Sequence, residues 1–399
     1  MTGANTFSVS GYGPERSSLS RLMARDSLAR RLDWPILLSA LALSFMGAIL
    51  VYSATRNRTE INQGDQYYFL IRHLMNTGIG FCLMIGTVWL GHRNLRTAVP
   101  VLYGLSVFLI LMVLTPLGAT VNGAHAWIVL GGGFSLQPSE FVKITIILGM
   151  AMLLAARVDA GDKAYPDHRT VLQALGLAAV PMMIVMLMPD LGSVMVMVII
   201  VLGVLLASGA SNRWVFGLLG TGALGAVLIW QLGILDEYQI NRFAAFANPE
   251  LDPAGVGYNT NQARIAIGSG GLTGTGLFHG SQTTGQFVPE QQTDFVFTVA
   301  GEELGFVGAG LIIVLLGVVL WRACRIARET TELYGTIVAA GIIAWFAFQA
   351  FENIGMTLGI MPVAGLPLPF VSYGGSSMFA VWVAVGLLQS IRVQRPMSA

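Results

Sequence analysis

"LGSVMVMVIIVLGVLLASGASNRWVFGLLGTGALGAVLIWQL", residues 191 to 232, runs for 42 residues with one charged side chain, Arg213. Two apolar segments, 191–209 and 213–232, flank that arginine. Each is about the 20 residues that a helix needs to cross a hydrocarbon core. Two such runs back to back predict a pair of membrane helices joined by a short basic loop. The same pattern recurs on both sides, at 35–54, 69–90, 97–116, 139–156, 171–188, 295–320, 332–352 and 370–390. The sequence therefore predicts an all-α polytopic membrane protein of ten transmembrane helices.

Composition agrees. Of 399 residues, 54% are apolar and 11% charged, with a mean hydropathy of +0.69. A net charge of +1 and the lack of a basic stretch interleaved with aromatics argue against nucleic acid as a partner. Membrane lipids and other membrane proteins are the expected partners. Cys82 and Cys324 lie in separate segments, which excludes a CxxC metal or redox motif.

Residues 1–34 carry Arg16, Arg21, Arg25, Arg30 and Arg31 without an apolar core and cleavage site, so they read as a retained basic tail on the cytoplasmic side. If ten helices alternate from that tail, 16 of the 22 Lys and Arg residues fall on one side. The positive-inside rule then makes both termini cytoplasmic, with residues 393–399 as a short C-terminal tail. The membrane domain is 35–392, and its one long loop, 233–293 between the seventh and eighth helices, faces outward. Within that loop "NTNQARIAIGSGGL" (259–272) has helical spacing and predicts an amphipathic helix at the outer membrane surface, stopped by Gly270 and Gly271. A second outer segment, "NGAHAWIVLGGGFSLQPSEFVK" (122–143), leads into the fourth helix.

Five ordered stretches resemble the signature segments of the SEDS family of shape, elongation, division and sporulation proteins. They are "GAHAWIVLGGGFSLQPSEFVK" (123–143), "MPDLGS" (188–193), "NPELDPAGVGYNTNQARIAIGSGGLTGTGLFHGSQ" (248–282), "FVPEQQTDFVFTVAGEELGFVG" (287–308) and "GIMPVAGLPLPFVSYGGSS" (359–377). The third and fifth are most similar to the RodA branch. Ala126 stands where many members have arginine, and Met188 where many have glutamine. The resemblance implies a peptidoglycan glycosyltransferase that polymerises lipid II into a growing glycan strand outside the cytoplasmic membrane during elongation, beside a class B penicillin-binding protein. It also carries the family's essential aspartate onto Asp294.

That chemistry can be set against the residues. A hydroxyl must attack an anomeric carbon and displace a polyprenyl pyrophosphate, so the acceptor needs a base and the leaving group needs positive charge. One carboxylate at the outer mouth of a helix is sufficient. Asp294 stands there, although an acid at a helix N-terminus is as readily a dipole partner. Glu290, one turn earlier, is open to substrate, to a divalent cation or to solvent alone. Lys143 with Glu140, Arg264 and Arg72 are the candidate contacts to the pyrophosphate and sugars, with Trp127 at the interface and Ser376 in "VSYGGSS" (371–377). Glu140 and Lys143, three residues apart, equally suit mutual neutralisation. Glu302 and Glu303, two turns into the eighth helix, suit structural pairing. Two other classes fit the same composition: a flippase for the lipid-linked precursor, and a non-enzymatic scaffold for a transpeptidase.

Overall fold

The computed structural model describes residues 28–58, 64–121, 124–131, 134–162, 164–188, 190–233 and 256–394. The basic tail up to residue 27, the loop stretch 234–255 and the last five residues lie outside them.

After a single turn, Leu28–Arg31, the helices are α1 Trp34–Thr55, α2 Tyr68–Leu90 and α3 His92–Val113. Strands β1 Gly118–Val121, β2 Ala124–Gly131 and β3 Phe134–Leu136 follow, then α4 Pro138–Asp159, α5 His168–Met186, α6 Leu191–Ala207 and α7 Asn212–Gln231. The remainder is α8 Val256–Ser269, α9 Ser281–Thr284, α10 Val296–Glu303, α11 Gly305–Glu329, α12 Leu333–Leu358 and α13 Gly375–Val393. Among the described residues, eight of these (α1 to α5 and α11 to α13) are long and apolar enough to cross a bilayer. Helix α6 is apolar over 17 residues, and α7 runs for 20. This is an integral membrane protein.

Burial separates the inner helices from the lipid-facing ones. In α1, α4, α12 and α13, 61–78% of the most apolar window is buried, against 22–33% in α2, α3, α5 and α11. Small residues permit the close approaches. A Cβ on Gly47 would meet the Val371 carbonyl oxygen at 2.4 Å, and one on Gly80 would meet the Trp382 ring at 2.7 Å.

Two features depart from the expected helices. The segment after α3 forms a three-stranded antiparallel sheet, with Ala119 opposite Trp127 and Val129 opposite Ser135. The expected eighth span, 295–320, is broken into α10 and α11 around Leu304, with Gly305 at φ +66°. The break is made by the glycine-rich turn 270–276. The Glu302 carbonyl accepts from the Thr275 N–H at 2.9 Å and the Glu303 carbonyl from the Gly276 N–H at 3.2 Å. In return, Phe306 and Val307 donate to the Gly271 and Leu272 carbonyls at 2.9 and 3.1 Å. Backbone groups that lose helical partners inside a membrane protein must find others, and this turn supplies them. Only glycine fits: a Cβ on Gly270 would stand 2.0 Å from the Gly301 oxygen.

The basic residues gather at one end of the bundle. Asp33 caps α1 and accepts from Arg322 Nη2 at 2.6 Å, with Arg392 Nη1 at 3.3 Å, which ties together α1, α11 and α13. Beside it, Arg96 pairs with Asp159 at 2.8 Å and Arg93 with Glu332. Arg56, Arg58 and Arg72 stand at the opposite end, together with the loop that follows α8.

Candidate active site

The candidate site lies at the end opposite the basic cluster, where "VPEQQTDFVF" (288–297) turns into α10. Glu290 takes φ +48°, and its carbonyl accepts from the N–H groups of Thr293, Asp294 and Phe295 at 3.1–3.3 Å. Its carboxylate accepts from Thr293 Oγ1 and Gln292 Nε2, both at 3.3 Å. This turn ends at Asp294, which is half-buried. A helix-capping acid is the alternative role for Asp294. In the structure α10 begins at Val296, so Phe295 rather than Asp294 holds the N-cap position. Phe295 is buried against Ala263 and Ala266 of α8 and against Val288. The amphipathic helix thus packs its small-residue face onto the turn that carries Asp294.

Asp294 is clamped from the side of α12. Its carbonyl oxygen accepts from Asn353 Nδ2 at 2.7 Å. Gly365, at φ +69°, approaches so closely that a Cβ there would lie 3.5 Å from Asp294 Oδ2. The neighbouring Gln292 carbonyl accepts from the Tyr373 N–H at 2.9 Å.

Cations are arranged around this turn. Arg72 lies over the Tyr68 ring at 4.3 Å and bonds to the Tyr373 side chain. Burial raises the Tyr373 pKa and the Arg72 charge opposes that rise. Arg58 donates to the Val288 carbonyl at 2.8 Å and to Gln292 Oε1 at 3.4 Å. Burial lowers its pKa, opposed by the Glu290 carboxylate. Arg56 donates to the Phe278 carbonyl at 2.5 Å. Arg264 is exposed on α8 and flanks Gly359 at the end of α12.

Of the residues expected at the site, the fold brings Asp294, Glu290 and Arg72 together, with Arg264 on the rim. Lys143 and Glu140 stand apart as a buried pair, 0% and 2% exposed, at 2.7 Å. Lys143 Nζ also donates to Gln349 Oε1 at 3.3 Å and sits over the Trp345 ring at 4.8 Å. Gln349 Nε2 in turn donates to the Pro367 carbonyl at 2.7 Å, so the pair reaches the loop bearing Gly365 only through a third residue. Trp127 is in the middle strand of the sheet, beside the buried Ala126. Ser376 is buried, accepts from the Gln137 N–H at 2.8 Å and donates to the Ser135 carbonyl at 3.4 Å, joining the start of α4 and β3 to α13.

Asn353, Gly365, Tyr373 and Gln292 are the residues around this turn that sequence reading passed over, and Arg58, which reads as a helix-end arginine, instead binds the turn at Val288 and Gln292. A buried amide within the apolar run of α12 was the available signal for Asn353.

The deeper acids have partners. Glu302 accepts from the N–H groups of Gln282 and Thr283 at 2.7 and 2.9 Å and from Thr283 Oγ1 at 2.7 Å. Glu303 accepts from Ser53 Oγ at 2.6 Å. Among the described residues no group of three or more His, Cys, Asp and Glu side chains converges as a metal site.

Acidic and basic side chains gathered at one end of a bundle of apolar helices define an integral membrane protein with a polar site at the end of its helices. The sequence profile described as "Cell cycle protein", which unites FtsW, RodA and SpoVE, matches residues 33–396, and the chain belongs to that family. Stage V sporulation protein E of Bacillus subtilis is 38% identical over 363 residues, 90% of this chain and 96% of that one. Peptidoglycan glycosyltransferase MrdB of Escherichia coli K12 is 34% identical over 366 residues, covering 92% of this chain and 95% of its own length. Among solved structures, a chain of a peptidoglycan synthase complex studied for coordination of polymerization and crosslinking superposes with a TM-score of 0.73 at 29% identity, covering 92% and 99% of the two chains. The rod shape determining protein RodA of Thermus thermophilus superposes at 0.66, also at 29% identity, over 92% and 98%.

Proposed function

We propose that this protein is a peptidoglycan glycosyltransferase of the RodA type, which polymerises lipid II into glycan strands at the outer face of the cytoplasmic membrane during cell elongation. One observation carries the reading: Asp294 stands half-buried ahead of α10 on a turn built by Glu290, with its own carbonyl held by Asn353. It acts as the base that takes the proton from the attacking sugar hydroxyl. Arg72, Arg58 and Arg264 supply positive charge for the departing pyrophosphate, which needs no general acid. Trp127, Ser376, Glu140 and Lys143 line or brace the substrate path, with Lys143 working through Gln349. A divalent cation, where one takes part, is held by Glu290 and the pyrophosphate.

Both termini face the cytoplasm, α6 and α7 complete ten crossings, and a class B penicillin-binding protein docks by its membrane helix near the outer ends of α11 and α12. The names of the relatives and the basic cluster at the Asp33 end support this arrangement.

The test is polymerisation by the purified protein, with and without its transpeptidase, given lipid II and read as a glycan ladder on a gel. Asp294→Asn keeps size and fold and removes the base, so synthesis should fall by about a hundredfold, within the usual range for a lost general base. An Asp294→Asn protein making glycan at the wild-type rate would refute the assignment. Scrambling of lipid II without polymer would favour the flippase, and inertness beside an activated partner the scaffold.

A further inference from the structure

Helix α12 carries Trp345, Gln349, Glu352 and Asn353 at 0% exposure in the middle of a bilayer-spanning stretch. Gln349 and Asn353 are one turn apart and both reach the loop that follows the helix. Gln349 Nε2 donates to the Pro367 carbonyl, while its Oε1 accepts from Lys143 Nζ and Trp345 Nε1 within the bundle. Asn353 joins two segments of the chain. Its Nδ2 donates to the Leu366 carbonyl and to the Asp294 carbonyl, each at 2.7 Å, across 13 and 59 residues of sequence. Two carbonyl oxygens at that distance identify the nitrogen end of the amide, because only its two N–H groups can serve both.

We infer that Asn353 is the positioning residue for Asp294, a carboxamide clip that sets the carboxylate against the backbone at Gly365. The inference rests on the proposed role of Asp294 as base. Leu366 directly follows Gly365, whose φ of +69° favours glycine and whose backbone lies alongside Asp294 Oδ2. Holding the carbonyls of Asp294 and Leu366 on one nitrogen fixes the two strands relative to each other, and the Asp294 N–H is already held by Glu290. The carboxylate is therefore aimed from both sides of its own peptide unit.

Stability alone is a poor account of this residue. Asn353 Oδ1 is buried without a hydrogen-bond partner among the described residues. A buried unpaired acceptor is destabilising, and an apolar side chain of similar size would avoid it. The bonds that the amide does make go to the peptide of the proposed base and to the segment packed on its carboxylate. Proton abstraction needs the base within hydrogen-bond reach of the hydroxyl, and a displacement near 1 Å can cost about a hundredfold in rate.

The test is a kinetic double-mutant cycle on the full-length protein with its transpeptidase. Asn353→Ala should lower kcat for lipid II polymerisation about 10- to 100-fold while KM changes by less than about threefold. In the Asp294→Asn background, the same change should cost nothing further, because a residue acting through the base has nothing left to position. An additive loss in the double variant, or a loss confined to KM, would overturn the proposal. Where alanine prevents accumulation of folded protein, Asn353→Asp takes its place in the cycle, since it keeps the shape and turns the donors into acceptors. Its loss should likewise vanish in the Asp294→Asn background, and an additive loss would again overturn the proposal. Wild-type activity of Asp294→Asn would strike the base itself, whereas a large Asp294→Asn loss that adds to Asn353→Ala would strike only the clip.

Discussion

Glu302→Gln tests the anchoring of the loop that leads to the site. Glu302 is fully buried and receives the N–H groups of Gln282 and Thr283 and the Thr283 hydroxyl. Its Cδ lies 2.7 Å from where a Gly280 Cβ would be, so the side chain has little room to turn. Glutamine fits the same space but replaces one acceptor oxygen by an NH2 group. One backbone donor, at Gln282 or at Thr283, then faces another donor. A buried donor left without an acceptor costs about 1–3 kcal/mol, and about 2 kcal/mol corresponds to a ~30-fold change in a local opening equilibrium. Hydrogen exchange read by mass spectrometry on the peptide spanning 277–287 should therefore speed up about 30-fold, while peptides from the core of α13 exchange as before. Unchanged exchange at 277–287 would refute the anchoring role. So would an equal rise across the core, which would mean global rather than local loosening.

Three further outcomes follow from the same geometry. Arg322→Met leaves Asp33, buried at the start of α1, with Arg392 as its remaining cation; detergent-solubilised protein should lose about 3 kcal/mol of stability, and Asp33→Leu/Arg322→Met should recover most of it. In a variant lacking Cys82 and Cys324, Thr284→Cys should react with an impermeant maleimide in intact cells, while Ser20→Cys and Ser398→Cys should not. External labelling of the last two would invert the assigned orientation. Adding the class B transpeptidase should raise polymerase turnover, and equal rates with and without it would remove the coupling but not the chemistry.

Eight of the expected spans were legible because a bilayer crossing leaves a local mark, about 20 apolar residues bounded by polar ones. What sequence reading passed over depends on partners far along the chain. The run 295–320 reads as one helix, since nothing local announces that Gly271 to Gly276 will take over the hydrogen bonds of Glu302 to Val307. The sheet at 118–136 was hidden within a glycine-rich connecting sequence. The pairing of Glu140 with Lys143 followed from their spacing, but their enclosure by Gln349 and Trp345 did not. Asp294 was singled out through a motif, and the start of α10 beyond it, at Val296, needed coordinates.

The placement of the acids follows from what each depth allows. Inside the bundle a carboxylate is tolerated when donors converge on it, and Glu302 and Glu303 are given such donors by Gln282, Thr283 and Ser53. They thereby fasten the returning loop to α10 and α1, which a loop made only of glycine and threonine backbone would do weakly. Asp294, the proposed base, is anchored differently, through its backbone, N–H to Glu290 and carbonyl to Asn353. The acids buried in α10 fasten the returning loop, while the position of the acid at the mouth is set by hydrogen bonds to its own peptide groups.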